Sequence, residues 1–173
     1  MTDENFIGQS GPAGTLDFAA TEELRSLILT ALDEDLRYGP DITTLATVPA
    51  ETVADAKIVS RQLGVVAGLP VVRAVFDAVI GAENYVVTAE LADGTLVEPG
   101  QAVLEVRAPA VSLLTVERTA LNLLCHLSGI ATETARWVAA VDGTAAQIRD
   151  SRKTLPGLRF LQKYAVRAGG GVN

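Results

Sequence analysis

Apolar residues follow two different rhythms along this chain. Leu24, Leu27, Ile28, Ala31 and Leu32 recur at helical spacing, with Thr21 placed to cap and Glu22 and Glu23 in the first turn. Tyr38-Gly39-Pro40-Asp41 ends that helix and turns the chain. Residues 57–60 and 64–67 are short and rich in β-branched side chains, which predicts strands. Pro70 can open a second helix, with Val71, Val72, Val75, Phe76 and Val79 on its apolar side. Residues 85–90, 95–97 and 103–107 read as further strands, punctuated by the turn pairs Asp93-Gly94 and Pro99-Gly100. The pattern predicts an α+β layer, sandwich-like, with antiparallel strands and helices on one face.

After Pro109 the pattern lengthens. Residues 112–127 predict a long helix ended by Gly129, and residues 130–141 a second one ended by Asp142-Gly143. A short strand is expected at 145–149, then a polar loop and a helix near 157–168. Strand, loop and helix in that order form the unit of a parallel α/β barrel or a doubly wound sheet.

Composition narrows the classes. The chain has 173 residues, 49% hydrophobic and 20% charged, which is ordinary globular composition. One cysteine, Cys125, excludes a disulfide framework within the chain and fits a reducing cytoplasm. No apolar run reaches the ~18 residues of a membrane span. Residues 1–15 have neither the basic nor the apolar region of a secretory signal, and their Gly, Ser, Pro and Thr content predicts a mobile arm over residues 1–20.

The net charge of −7 argues against a nucleic-acid partner. Its distribution is more informative. Arg149, Arg152, Lys153, Arg159, Lys163 and Arg167 lie in one window, opposed there only by Asp150, while the other 8 basic residues face 20 acidic ones. Such a window suits a small anionic ligand drawn in by a local field, or a solvated helix face.

Residues 149–157, Arg-Asp-Ser-Arg-Lys-Thr-Leu-Pro-Gly, follow directly on the expected strand. Loops at the C-terminal ends of barrel strands hold active sites. Arg152 offers a planar fork for a carboxylate or phosphate, and Lys153 a compact point charge. Ser151 and Thr154 add hydroxyls, and the following helix start adds backbone N–H groups. An ordinary loop with surface charges is the alternative. Gly169, Gly170 and Gly171 could let backbone approach a phosphate, or simply stop a helix. Arg118 could pair locally or reach a partner. His126 suits a core or interface position, and Cys125 a buried inert thiol. The 93–101 stretch resembles the turns of biotinyl and lipoyl carriers, but no lysine lies between Lys57 and Lys153 to be modified.

Several blocks occur together in one order: Gly39-Pro40-Asp41-Ile42-Thr43-Thr44, Gly64-Val65-Val66-Ala67-Gly68, Glu117-Arg118-Thr119-Ala120-Leu121-Asn122, Leu127-Ser128-Gly129-Ile130, Arg152-Lys153-Thr154-Leu155-Pro156-Gly157-Leu158-Arg159, Lys163-Tyr164-Ala165-Val166 and Gly169-Gly170-Gly171-Val172-Asn173. In these the chain resembles the N-terminal portion of the quinolinate phosphoribosyltransferases. The resemblance implies an α/β sandwich-like domain over 21–125 and the beginning of an α/β barrel over 126–173, incomplete within this chain. It implies a homodimer, and transfer of phosphoribosyl from phosphoribosyl pyrophosphate to quinolinate with decarboxylation, giving nicotinate mononucleotide, pyrophosphate and CO₂. By the same resemblance Arg152 and Lys153 contact substrate, Ser151 stands where threonine is usual, and Arg118 enters the partner subunit's site. Mg²⁺ is the implied cofactor, with ligands expected beyond Asn173. No residue is assigned to catalysis or metal binding in the chain itself, which is expected to be inactive alone. A non-catalytic binding or assembly module that keeps the dimer interface is the alternative.

Overall fold

A computed structural model describes residues 21–173; the expected mobile arm, residues 1–20, lies outside the described residues. Helix α1 (Glu22–Leu36) begins where its cap predicts, the Thr21 hydroxyl accepting from the Leu24 N–H at 3.3 Å. It buries Leu24, Ile28 and Leu32. After the turn at Gly39 comes a helix that periodicity does not reveal, α2 (Ile42–Thr47). It is too short to show a period, and its signal is its cap. Asp41 accepts from the Thr44 N–H at 3.0 Å and from the Thr44 hydroxyl at 2.6 Å.

Strands β1 (Val53–Val59), β3 (Val86–Glu90) and β5 (Ala102–Pro109) form an antiparallel sheet in the order β1-β5-β3. β1 starts four residues before the expected 57, because Val53 to Asp55 pair with Pro109 to Arg107. Along β5 the period-2 rule separates two faces. Leu104, Val106 and Ala108 are buried in the core. Glu105 and Arg107 face out and pair across the ladder with Lys57 and Asp55, each at 2.8 Å. The helices therefore cover one face, as the pattern predicts. A two-stranded ribbon joins β2 (Gly64–Val65) to β4 (Leu96–Val97).

Helix α3 (Leu69–Val79) buries Leu69, Val71, Val72, Val75 and Phe76. Its N-cap is Gly68 at φ +110°, a left-handed conformation that L side chains avoid. A Cβ there would also stand 2.8 Å from Leu127 Cδ1.

The largest departure from expectation is α4 (Ala110–Ala140), one helix of 31 residues where two were expected. At 1.5 Å per residue it is about 46 Å long. Gly129 does not end it. A helical glycine costs about 1 kcal/mol relative to alanine, and tertiary bonds on either side offset that. The Ala67 N–H donates to Ser128 Oγ at 3.0 Å, and the Val65 N–H to Thr132 Oγ1 at 2.9 Å. The buried faces of Leu124, Leu127, Ala131 and Ala135 also continue through the glycine without a change of phase. The expected boundary between residues 125 and 126 thus lies inside one helix.

The strand expected at 145–149 is reduced to one parallel bridge, Arg149 to Val172. Residues 144–147 are exposed and have no ladder partner among the described residues. The last helix, α5 (Arg159–Ala168), buries Leu161, Tyr164, Ala165 and Ala168 at positions i, i+3, i+4 and i+7. It packs on α4. No described helix is long and apolar enough to cross a membrane.

Gly68, packed against Leu127, and Gly129, within α4, should respond to alanine in opposite ways. At Gly129 a Cβ would meet nothing within 4 Å, so Gly129→Ala should raise unfolding stability by about 0.5–1 kcal/mol. Gly68→Ala meets Leu127 at positive φ and should lower it by about 1–3 kcal/mol. Urea titrations of the two variants check the sign of each change.

Candidate functional site

The polar loop lies at the C-terminal end of the parallel bridge. The Val172 N–H donates to the Ile148 carbonyl at 2.9 Å, and the Asp150 N–H to the Val172 carbonyl at 3.0 Å. Residues 148–150 and 171–172 therefore run side by side, with loop and α5 between them. The return of the chain depends on close packing. A Cβ on Gly169 would stand 2.3 Å from the Ala131 carbonyl oxygen and 2.7 Å from Thr134 Cβ, so only glycine lets the chain pass under α4. Gly169 is also the C-cap of α5, the helix stop expected of the glycine run, while its packing under α4 is a role that the sequence did not suggest.

Within the loop, Ser151 Oγ accepts from the Lys153 N–H at 3.1 Å, an ST-turn that sets the direction of the next residues. Arg159 Nε donates to Thr154 Oγ1 at 3.0 Å. The Leu155 N–H donates to Gln162 Oε1 at 3.1 Å, and Gln162 Nε2 lies 2.9 Å from His126 Nε2. His126 is half-buried and serves as an anchor, tying α5 and the loop to α4. The first turn of α5 has no capping side chain.

The basic residues divide into two groups. Lys163 pairs with Asp150 at 2.5 Å. The Arg167 guanidinium lies 5.7 Å from the centre of the Tyr164 ring, a cation–π distance. Asn173, with its amide nitrogen toward oxygen acceptors, donates to Asp150 Oδ2 at 2.9 Å and to the Lys163 carbonyl at 3.1 Å, while its oxygen accepts from Arg167. Arg152 and Lys153 are exposed and have no side-chain hydrogen bond or ion pair among the described residues. Ser151, Arg152 and Lys153 thus sit together as a loop with two available cations.

Arg118 lies elsewhere. It projects from α4 with its side chain 72% exposed and pairs with Asp35 near the end of α1. Its charge also reaches Asp41, whose carboxyl is held below the ordinary carboxylate value chiefly by the Thr44 hydroxyl and then by the Thr44 N–H. His126, where the loop is tied, is eight residues farther along α4, about 12 Å by helix rise. The structure does not join Arg118 to the loop within one subunit.

Two features were not legible in the sequence. Asp93, read only as half of a turn pair, sends its partly buried carboxylate to the Gly68 N–H at 2.6 Å, the Leu69 N–H at 3.1 Å and the Tyr164 hydroxyl at 2.6 Å. It caps α3, whose own N-cap glycine has no side chain, and fastens α5 to the antiparallel layer. Burial pushes the Asp93 carboxyl above its usual range, and the three donors oppose that shift. Burial, then the bond to Asp93, pushes the Tyr164 phenol up. Cys125, expected to be buried, is exposed. It lines an apolar groove of about 1120 Å³ between β1 and α4, with Ile58, Leu63, Leu121 and Leu124. That groove includes none of the candidate residues Arg118, Ser151, Arg152 and Lys153.

Comparison with known proteins agrees with this geometry. The family model described as quinolinate phosphoribosyl transferase, N-terminal domain, matches residues 41–128, and the corresponding C-terminal domain model matches residues 130–173. Carboxylating nicotinate-nucleotide pyrophosphorylase of Mycobacterium leprae is 60% identical over 149 residues, covering 86% of this chain and 52% of that protein. The probable enzyme of the same name from Bacillus subtilis is 39% identical over 151 residues, covering 87% and 51%. Among solved structures, NadC from Streptococcus pyogenes superposes with a TM-score of 0.82 at 38% identity, over 87% of this chain and 53% of that one. Nicotinate-nucleotide pyrophosphorylase from Francisella tularensis gives 0.82 at 29% identity, over 95% and 56%. The chain spans about half the length of the relatives it matches.

Tyr164→Phe should lower stability by about 1.5 kcal/mol at neutral pH, the lower end for a bond to a charged group, because Asp93 is only partly buried. The pH dependence has a definite sign. Asp93 has a raised native pKa, so its contribution to stability is full below its unfolded pKa of about 3.9 and is lost as pH rises through the native value. Removing the hydroxyl that supports the carboxylate deepens that loss. The gap between wild type and variant should therefore widen from pH 3 to pH 7 in urea titrations.

Proposed function

Since the chain belongs to the quinolinate phosphoribosyltransferase family, we propose that it supplies part of an enzyme that transfers phosphoribosyl from phosphoribosyl pyrophosphate to quinolinate, in NAD biosynthesis. The supporting observation is the loop after Asp150, where Arg152 and Lys153 are exposed, adjacent and unpaired among the described residues. Quinolinate has two carboxylates on neighbouring ring carbons. The Arg152 fork suits one of them, and Lys153 adds a second positive charge beside it. Ser151 holds the turn that presents both.

In the proposed reaction the pyridine nitrogen attacks the anomeric carbon of the ribose, and pyrophosphate leaves with the electron pair of the broken C–O bond. The 2-carboxylate then departs as CO₂, leaving its bonding electron pair on C2 beside the cationic ring nitrogen, and C2 takes up a proton. This chain's part is to neutralise and orient the dicarboxylate, which aligns the nitrogen for attack. The family implies Mg²⁺. Among the described residues no group of three His, Cys, Asp or Glu side chains converges. These residues do not fit a Mg²⁺ site, and the role proposed for them is charge pairing alone.

We further propose that the protein acts as a homodimer in the cytoplasm, with Arg118 entering the partner's site. Its exposure, and its distance along α4 from the tied loop, support that reading. A second reading is a non-catalytic binding or assembly module. Quinolinate binding without formation of nicotinate mononucleotide would select it.

Arg152→Ala should weaken quinolinate binding by roughly one to two powers of ten, the loss expected for one charge-assisted bond of about 1.5–3 kcal/mol. Its melting temperature should stay close to wild type, because Arg152 has no partner among the described residues to lose. Calorimetric titration beside a thermal melt tests both halves, and unchanged affinity would remove the basis for this assignment.

The shared site has a complementation test. Arg118→Ala and Arg152→Ala chains should each bind quinolinate poorly. Dimers containing one of each should recover binding at one of two sites, because one site then holds both arginines. If verified mixed dimers bind no better than either parent, Arg118 does not act across the interface.

A further inference from the structure

The loop that holds Arg152 and Lys153 begins with an acid. Asp150 is two residues from Arg152 and three from Lys153, close enough to bind either cation and to compete with any anionic ligand. It does neither. Its carboxylate turns inward, with only 8% of the side chain exposed, and meets Lys163 Nζ at 2.5 Å. Asn173 donates a second bond to the same oxygen at 2.9 Å. The backbone holds this arrangement, since the Asp150 N–H is bonded to the Val172 carbonyl. Lys163 comes from the second turn of α5, whose buried Leu161, Tyr164 and Ala165 are packed in the core. The aspartate's charge is thus matched on the inner side of the loop, while both ligand-facing cations stay unpaired among the described residues.

We propose that Lys163 is a positioning residue for the anion site: by holding Asp150 inward, it keeps Arg152 and Lys153 open to a dicarboxylate. The inference rests on the reading of Arg152 as a carboxylate ligand. It assigns opposite effects to the two partners of one ion pair. Loss of Lys163 leaves a buried carboxylate with its main cation gone. That charge is costly where it is and turns toward the exposed cations of the loop, Arg152 among them. The ligand must then displace an internal rival. Loss of the Asp150 charge removes the rival altogether and adds the Lys163 charge to the local field.

The test is a set of quinolinate titrations of the 173-residue chain by calorimetry, with a thermal melt of every variant. Lys163→Met should weaken binding about fivefold, the strength of an exposed ion pair acting as competitor. Lys163→Arg, which keeps the cation, should stay near wild type. Asp150→Asn should bind as tightly as wild type or tighter, although it breaks the same bridge. The double variant Asp150→Asn with Lys163→Met should regain the affinity lost in Lys163→Met. A merely structural bridge would make Asp150→Asn and Lys163→Met weaken binding alike, and that result would overturn the proposal. So would a double variant as weak as Lys163→Met. Should Lys163→Met fail to fold, Asp150→Asn decides by its sign: weaker binding overturns the proposal, and equal or tighter binding supports it. Arg152→Ala separates this inference from the reading beneath it. If Arg152→Ala or the wild type shows no arginine-dependent binding, both fall together. If Arg152→Ala weakens binding and Lys163→Met does not, only the positioning role falls.

Discussion

Between Leu127 and Thr134, α4 is approached from two sides by backbone rather than by side chains alone. Residues 64–68 come in from one side, donating N–H groups to Ser128 and Thr132, with Gly64 and Gly68 placed where a Cβ would stand 2.8 Å from Thr132 and from Leu127. The chain after α5 comes in from the other, with Gly169 against the Ala131 carbonyl. Most of the remaining geometry follows from that double approach. The ribbon of β2 and β4 is fixed to α4, which places Asp93. Asp93 then caps α3 and fixes Tyr164. Tyr164 sets α5, and α5 sets both Lys163 and the return of residues 171–173.

Charge is handled by the same plan. The acids inside the structure, Asp93 and Asp150, are each met by donors from an element distant in sequence: Tyr164 with the start of α3 for Asp93, and Lys163 with Asn173 for Asp150. The cations of the loop have no such partners among the described residues. A protein with a net charge of −7 can thereby keep a local positive field, because its nearest acid is neutralised from within.

Much of this could be read along the chain, for physical reasons that are visible residue by residue. Leu24, Ile28 and Leu32 share one helical stripe, so periodicity alone locates α1. The turn pairs Asp93-Gly94 and Pro99-Gly100 bound β4 because glycine takes the positive φ that such turns need. The strand-to-loop position of Arg152 and Lys153 followed from local pattern, and the structure places them as an exposed pair. What stayed hidden depended on contacts far apart in sequence. Gly129 looks like a stop until Val65 and Ala67 are seen bonded on either side of it. Cys125 looks like a small buried hydrophobe, since nothing local shows that its side of α4 faces the groove. Asp93 and Tyr164 are 71 residues apart, and no periodicity links a turn aspartate to a helical tyrosine. Arg118 offered Glu117 as an obvious neighbour, but adjacent helical residues point apart, and Asp35 on α1 takes its place.

An unbroken helix fixes angle as well as distance. Ser128 lies ten residues beyond Arg118 on continuous α4, so the guanidinium and the serine that pins β2 keep one angular phase around a common axis. Inserting or deleting a single residue between them would rotate one relative to the other by about 100° and slide it by about 1.5 Å. No loop lies between them to absorb the change. Surface loops in general tolerate changes in length, but the segment from Arg118 to Ser128 behaves as a keyed shaft, whose residue count is itself a structural quantity.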